Sequence, residues 1–183
     1  MSIHDPLVFQ KDLAALVPNL RAFARSLAGG ADQADDLVQE TLVKAWKHRD
    51  SFAEGSNLKA WLFTILRNVF LSERRKRKFE VADSDGMFAD QLSVKGSQAS
   101  RMDLLDFQKA FEKLPHEQRE ALILIGAEGF AYEEAALMCG CAVGTVKSRV
   151  NRARAKLAEM LGVTGAEDYA NDDFMVRTRA HGS

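Results

Sequence analysis

The chain has 183 residues, of which 46% are hydrophobic and 28% charged, with a formal net charge of −1. This composition supports folded cores in one ordinary domain or two small ones, and it lacks the signature of a disordered chain. No apolar run reaches the roughly 20 residues of a membrane span, and the N-terminus lacks a signal-peptide pattern. We therefore expect a cytoplasmic protein that does not associate with membranes.

The first part of the chain predicts helices, because apolar residues recur every three or four positions. Asp5, followed by proline, is typical of a helix N-cap. Pro18 is expected to break or restart this helix, and Gly29 with its glycine neighbour to end it. Asp32 can cap the next helix, and Asn57 a third that ends in a basic run.

The composition changes after that basic run. Residues 79–108 hold 2 Lys/Arg against 6 Asp/Glu, whereas residues 1–78 hold 13 against 9. No helical apolar stripe occurs in 79–102, a stretch too long for a loop within one compact domain. The predicted organisation is a domain at 1–78, an acidic linker at 79–102, a second domain at 103–161 and a mobile tail at 162–183.

A helix-turn-helix is predicted at 129–157, where a short helix meets Gly140 and a basic helix with a buried apolar stripe follows. The second helix of such a motif enters the DNA major groove. The alternative, a solvated basic face, is disfavoured by the preceding helix and turn. The residues predicted to face DNA are Thr145, Lys147, Ser148, Arg149, Asn151, Arg152 and Arg154, of which the later cations suit phosphate contacts.

Two further patterns in the first domain indicate binding surfaces. In "NLKAWLFTILRNVFLSERRKRK", residues 57–78, aromatic and cationic residues alternate, as in proteins that stack unpaired bases and hold phosphates. The alternative, favoured for Trp61 and Phe70 taken alone, is that these aromatics are core residues. Carboxylates crowd the helix start at 32–40, either for the helix dipole or for docking on a basic protein surface, and the residues alone do not decide between the two.

Catalytic and metal sites are not predicted. The sequence has no glycine-rich phosphate loop, no HExxH motif and no nucleophile elbow, and its four histidines are scattered. Cys139 and Cys141 are too close for an ordinary disulfide and lack a second pair that would complete a zinc site. We expect no enzymatic activity, cofactor, metal or small-molecule substrate.

The stretches "ADDLVQETLVKAW", "LKAWLFTILRN" and "GAEGFAYEEAALMCGCAVGTVKSRVNRAR" resemble the extracytoplasmic-function (ECF) sigma factors of bacterial RNA polymerase. The resemblance covers about residues 10–78 and 103–161, and the C-terminal part is most similar to the general-stress-response (EcfG-type) branch of alphaproteobacteria. It implies an all-α fold with two small helical domains and a flexible linker. The first domain would be sigma region 2, which binds and opens the −10 element. The second domain would be sigma region 4, which reads the −35 element as duplex DNA.

The resemblance also assigns residues in the first domain by matching position. The helix at 36–46 would dock on the clamp of the polymerase core, and the flap is a further expected contact of the core. The implied polymerase-binding residues are Asp36, Gln39, Glu40, Lys44 and Trp46. The implied −10 residues are Ser51, Phe52, Asn57, Lys59, Trp61, Arg67, Asn68, Arg74 and Arg75, which belong to a base-capturing loop and the helix behind it.

Membership of this branch implies a small anti-sigma factor of NepR type, which a response regulator with a sigma-like decoy domain (PhyR type) would remove. Two alternatives stay open. The chain can itself be such a decoy, binding an anti-sigma factor without initiating transcription, or it can be a plain helix-turn-helix repressor. The absence of room for a receiver domain and the two basic surfaces favour a working sigma factor. The lack of dimerisation heptads disfavours the repressor.

Overall fold

The computed structural model describes residues 5–53, 55–81 and 98–162, with side chains described outside 78–81 and 98–104. Within these ranges the regular structure is helical and no strand occurs, as predicted. The helices are α1 (Pro6–Ala28), α2 (Ala31–Lys47), α3 (Leu58–Val81), α4 (Gln98–Glu112), α5 (His116–Leu122), α6 (Tyr132–Cys139) and α7 (Val143–Leu161). None of the helices in the described part is long and apolar enough to cross a bilayer.

The chain forms two compact units, with α1–α3 in the first and α4, α5, most of α6 and α7 in the second. Helix α3 extends past the basic run and α4 begins before residue 103, so 79–81 and 98–102 of the predicted linker are helical. Once nucleated, a helix propagates cheaply beyond its apolar stripe, which the pattern alone does not reveal. Residues 82–97 of the predicted linker and 163–183 of the predicted tail lie outside the described residues.

Helix α1 continues through Pro18, so the predicted break is wrong. Its start is capped as predicted, since Oδ1 of Asp5 accepts a hydrogen bond from the backbone N–H of Leu7 at 2.9 Å. Proline in a helix interior costs about 3 kcal/mol relative to alanine. Pro18 lies on the exposed side, while buried Leu13 and Leu20 hold both halves of the helix against the core. Tertiary packing therefore overrides the local preference.

The two ends of α1 and the start of α3 match the predictions, whereas the start of α2 does not. Gly29 ends α1 with a left-handed φ of 83°, and Asn57 caps α3 by accepting the N–H of Ala60 at 3.1 Å. Gly30, with extended backbone, is the N-cap of α2, so the predicted cap at Asp32 is wrong. Because α2 follows the turn at once, this carboxylate lies in its first turn, where the helix dipole favours it.

Aromatic rings hold the first unit together, in which α1, α2 and α3 pack against one another. Phe23 of α1 stacks on Phe63 of α3 with ring centroids 4.7 Å apart, and both are 1% exposed. Phe9 of α1 lies 6.2 Å from Trp46 of α2 and 6.5 Å from Trp61 of α3. Aromatic contacts thus join all three helices. Each ring buries a large apolar area, and exposing that area to water would cost free energy.

In the second unit, α7 packs against α4 and α5. The apolar stripe predicted for α7 is buried except at its last residue: Val146, Val150 and Ala153 are fully inaccessible, Leu157 is 7% exposed and Leu161 is half-buried. Between α5 and α6, Ile123–Ala127 forms a π-helical turn. Its sequence has the pattern of an ordinary apolar helix, and this wider turn was therefore not predictable from spacing.

Replacing Pro18 with alanine is expected to raise the free energy of unfolding of the first unit by about 1–3 kcal/mol. The substitution restores a backbone donor inside α1 and removes a ring from a solvent-facing position. Thermal and urea denaturation of the full chain measure the change. Equal or lower stability would contradict the interpretation and show that the core requires a distortion at Pro18.

Candidate nucleic-acid and protein interfaces

Helices α6 and α7 form the predicted helix-turn-helix. Gly140 between them has a φ of 60°, a left-handed value that residues other than glycine rarely adopt. The start of α6 lacks a capping side chain at Ala131, but Oε2 of Glu134 accepts the N–H of Ala131 at 3.0 Å. This is half of a capping box, and it stabilises a helix start that the sequence leaves weak.

The predicted DNA-facing residues lie together on the first three turns of α7, opposite or beside its buried stripe. From Val143 to Ala158 the helix carries five cations and no carboxylate, so its solvent face is strongly positive. Ser148 donates its hydroxyl to the backbone oxygen of Thr145 at 2.9 Å, and its remaining lone pairs can accept. Exposed residues are Lys147, Asn151 and Arg152, and half-buried ones are Thr145, Ser148, Arg149 and Arg154.

Two of these cations contact the rest of the motif. The ammonium of Lys147 lies 5.3 Å from the ring centroid of Tyr132, at the start of α6. Nη1 of Arg149 lies 3.9 Å from Sγ of Cys141, in the turn. Helical side chains lean toward the N-terminus of their helix, which brings both cations toward α6 and the turn. Sequence spacing gives no signal for either contact.

The loop between α2 and α3 is anchored by Phe52, which is 2% exposed and whose ring centroid lies 5.2 Å from that of Trp61. Ser51 donates its hydroxyl to the backbone oxygen of His48 at 2.6 Å, fixing the start of the loop. The ring of Phe52 therefore offers no surface to a DNA base, contrary to the prediction for this residue. Burying a large apolar side chain lowers the free energy relative to leaving it in water, and this favours an inward-facing ring even in a polar loop.

Helix α3 carries its predicted DNA residues on two sides. At 100° per residue, the centres of the two sets lie roughly 130° apart around the helix axis. Trp61 is half-buried, since it packs on Phe9 and Phe52, and Lys59 lies 5.7 Å from the ring of Phe63. One side carries Lys59, Arg67 and Arg74, and the other carries Trp61, Asn68 and Arg75.

The exposed side of α2 brings the predicted polymerase contacts together around an apolar residue that the sequence reasoning missed. Val43 is 66% exposed and lies nearly opposite the buried stripe of α2. Lys44 forms an ion pair with Glu40 at 2.7 Å on the same surface. The position of Val43 in the sequence, nearly opposite the apolar stripe of α2 on a helix, could have indicated its exposure. The predicted set consists of the exposed Asp36, Gln39, Glu40 and Trp46 and the half-buried Lys44.

No cluster of three or more His, Cys, Asp or Glu side chains suited to a metal ion occurs in the described part of the chain. Cys139 is buried, Cys141 is half-buried, and neither forms a disulfide.

Comparison with known proteins identifies the two units. Residues 13–80 match sigma-70 region 2, and residues 104–157 match sigma-70 region 4. The chain is 60% identical over 173 residues to the ECF RNA polymerase sigma factor EcfG of Rhodopseudomonas palustris (strain TIE-1), covering 94% of each chain. It is 34% identical over 143 residues to the ECF sigma factor SigM of Mycobacterium tuberculosis, covering 78% of this chain and 71% of the relative.

The chain therefore belongs to the ECF family of RNA polymerase sigma factors, with α1–α3 in region 2 and the helix-turn-helix in region 4. A protein of this family directs the RNA polymerase core to promoter DNA at transcription initiation. This confirms the family, the fold class and the main function that the sequence predicts.

Solved structures agree with this assignment. The sigma factor RpoE of Bartonella quintana, crystallised with the anti-sigma factor NepR, is 58% identical with a TM-score of 0.78, over 85% of this chain and 98% of that chain. CnrH, solved with the cytosolic domain of CnrY, is 28% identical with a TM-score of 0.65, over 88% of this chain and 92% of that one. The PhyRSL–NepR complex from Sphingomonas sp. Fr1 shares the fold at 23% identity and a TM-score of 0.62.

Truncating the loop anchor, Phe52→Ala, is expected to lower the free energy of unfolding by about 3–5 kcal/mol, because it leaves a cavity beside Trp61. Phe52→Leu, which retains most of the apolar volume, should cost clearly less. Urea denaturation measures stability, and amide hydrogen exchange reports protection of the loop. Unchanged stability in Phe52→Ala would contradict the anchoring role.

Proposed function

We propose that this sigma factor directs RNA polymerase to the promoters of general stress response genes. Region 4 would read the −35 element through α7, and region 2 would open the −10 element. The main support for promoter recognition is the positive, amide-bearing face of α7. The 60% identity to EcfG supports assignment to the general-stress-response branch. The residues act by binding alone, and the proposal includes no catalytic step.

On α7, side chains near the helix start are placed to meet base edges, as recognition helices do in the major groove. Lys147 and Arg149 suit the acceptors of guanine, and Asn151 suits adenine. Thr145 and Ser148 add short hydroxyl contacts. Arg152 and Arg154 lie further along the helix, where contacts to phosphates fix the register of the protein on the duplex without reading sequence.

In region 2, the separated faces of α3 suit two tasks. Lys59, Arg67 and Arg74 would hold the phosphate backbone of the melted strand. The side with Asn68 and the exposed part of the Trp61 ring would contact unpaired bases together with Ser51 and Asn57 of the loop, and Arg75 would add a phosphate contact. Flipping a base costs a few kcal/mol, which stacking and pocket contacts would supply.

The exposed side of α2 suits docking on the polymerase clamp. Val43 provides an apolar centre, and Asp36, Gln39 and Glu40 surround it with polar groups, which is the arrangement of an apolar core and polar rim found in protein interfaces. Trp46 extends the apolar area at the C-terminal end of α2. We propose a separate contact of region 4 with the flap. Since polymerase is the partner, we place the protein in the cytoplasm.

We also propose that a small anti-sigma factor of NepR type holds this chain inactive, and that a PhyR-type regulator removes it. The support is the 58% identity to the Bartonella quintana sigma factor that was crystallised with NepR. The fold alone does not separate a sigma factor from a PhyR-type decoy, because both share it. The higher identity to sigma factors and the cation-rich α7 favour transcription initiation. A plain repressor would leave region 2 without a role.

Run-off transcription tests the proposal. Core polymerase is combined with this chain on a promoter that carries stress-type −35 and −10 elements, with and without a NepR-type protein. We expect transcripts that require this chain and that the anti-sigma factor suppresses. Tight binding of the anti-sigma factor without any transcript would instead identify a decoy, and duplex binding without polymerase would support a repressor.

Substituting Arg149 with alanine is expected to weaken binding of the holoenzyme to a matched −35 duplex by about 1–3 kcal/mol, with less effect on a scrambled duplex. Fluorescence anisotropy of labelled duplexes measures both. Lys156→Ala, further along the same face, is the matched control and should weaken both duplexes alike. An equal loss on both duplexes for Arg149→Ala would limit this residue to phosphate contact.

Substituting Val43 with aspartate is expected to weaken association with the polymerase core by at least about 1–2 kcal/mol, because a charge would replace the apolar centre of the interface. The fold should be unaffected at a position that is 66% exposed. Leu7→Asp, at 75% exposure on α1, is the matched control. Surface-bound core polymerase and circular dichroism provide the measurements. Equal affinities of the two variants would contradict docking through this face.

A further inference from the structure

We propose that Cys141 is a positioning residue whose thiol holds the guanidinium of Arg149 in the orientation with which it meets the −35 element. The inference rests on the function proposed for α7. Cys141, in the turn before α7, would thus orient the side chain of Arg149 in the free protein, before DNA binds.

The contact follows from the geometry of the helix. Arg149 lies six residues after the start of α7, or about 9 Å along its axis, and its long side chain leans back toward the turn. Nη1 of Arg149 thereby comes within 3.9 Å of Sγ of Cys141. Both residues are half-buried and the thiol is free, so the contact lies at the edge of the surface that would face DNA.

The chemistry of sulfur suits this task. A thiol sulfur is a weak acceptor, so it biases the position of the guanidinium without competing strongly with a base or a phosphate. It also leaves the positive charge of Arg149 intact, whereas a carboxylate in its place would neutralise that charge. The guanidinium has five N–H donors, and a contact through one nitrogen leaves others for a bidentate contact with guanine.

Positioning affects affinity through entropy. Arginine has several rotatable bonds, and fixing them on binding reduces affinity unless the side chain is already ordered. Loss of the sulfur should therefore weaken binding about two- to tenfold. The backbone contact of the turn, in which the N–H of Cys141 donates to the oxygen of Ala136 at 3.1 Å, is retained in every side-chain variant at this position.

The variants separate positioning from general structure. Cys141→Ala removes the acceptor, while Cys141→Ser keeps an acceptor of similar size and should retain near-normal binding. Cys139→Ala removes the other thiol near the turn and is the matched control. Holoenzyme assembled with the full chain is titrated with matched duplexes and with duplexes altered in the −35 element. We expect weaker binding and poorer base discrimination for Cys141→Ala alone among these three.

A double-mutant cycle with Arg149→Ala decides whether the effect passes through the guanidinium. In the Arg149→Ala background, Cys141→Ala should cause no further loss. The same loss in both backgrounds, or no loss in either, would overturn the inference. If Arg149→Ala by itself left binding to the −35 element unchanged, the proposed role of Arg149 would fail, and the inference with it.

Nuclear magnetic resonance of the free chain provides a readout independent of DNA. Order parameters for the Nε–H group of Arg149 should fall in Cys141→Ala and recover in Cys141→Ser, while those of Arg152 stay unchanged. Equal order of Arg149 in wild type and Cys141→Ala would overturn the positioning role even if Arg149 reads DNA. Circular dichroism of each variant confirms that the helices are intact.

Discussion

Burial of one apolar stripe on each helix is the constraint on which both units depend. On α7, the stripe that includes Val146 and Val150 packs inward and fixes the rotation of the helix, so the cations must face outward. On α2, the same constraint turns Val43 outward, where no core contact accounts for its hydrophobicity. The orientation of the two proposed binding surfaces is thus a consequence of packing, and a one-residue change in helical register would disrupt the core and the cationic surface of α7 together.

The aromatic cluster of Phe9, Trp46, Phe52 and Trp61 connects two surfaces with different proposed partners. Trp46 lies at the edge of the α2 face, and Phe52 anchors the loop before α3. Arg49 lies between them in sequence, with its guanidinium 5.3 Å from the ring of Trp46. The loop and the exposed side of α2 are therefore linked by a chain of ring contacts that runs through Trp61 and Phe9.

The sequence predicted the fold class, the helix-turn-helix and most helix ends because caps, glycine turns and apolar spacing are local signals. Predictions from the sequence failed where contacts between residues distant in the chain determine the local conformation. Core packing keeps α1 continuous through Pro18, and the space beneath the loop buries Phe52. The contact between Cys141 and Arg149 joins side chains eight residues apart across a turn, and no periodic pattern encodes it. By contrast, the outward orientation of Val43 could have been predicted from its helical spacing relative to the apolar stripe of α2.

The chain contains only two tryptophans, Trp46 and Trp61, and both lie beside Phe9 in region 2. Its intrinsic tryptophan fluorescence therefore originates entirely in one of the two units. Trp46 is partly exposed on α2 and Trp61 is half-buried behind the loop, so quenching or a spectral shift would report on these two places. The natural sequence thus allows the state of region 2 to be followed without an attached dye, while region 4 contributes no tryptophan signal.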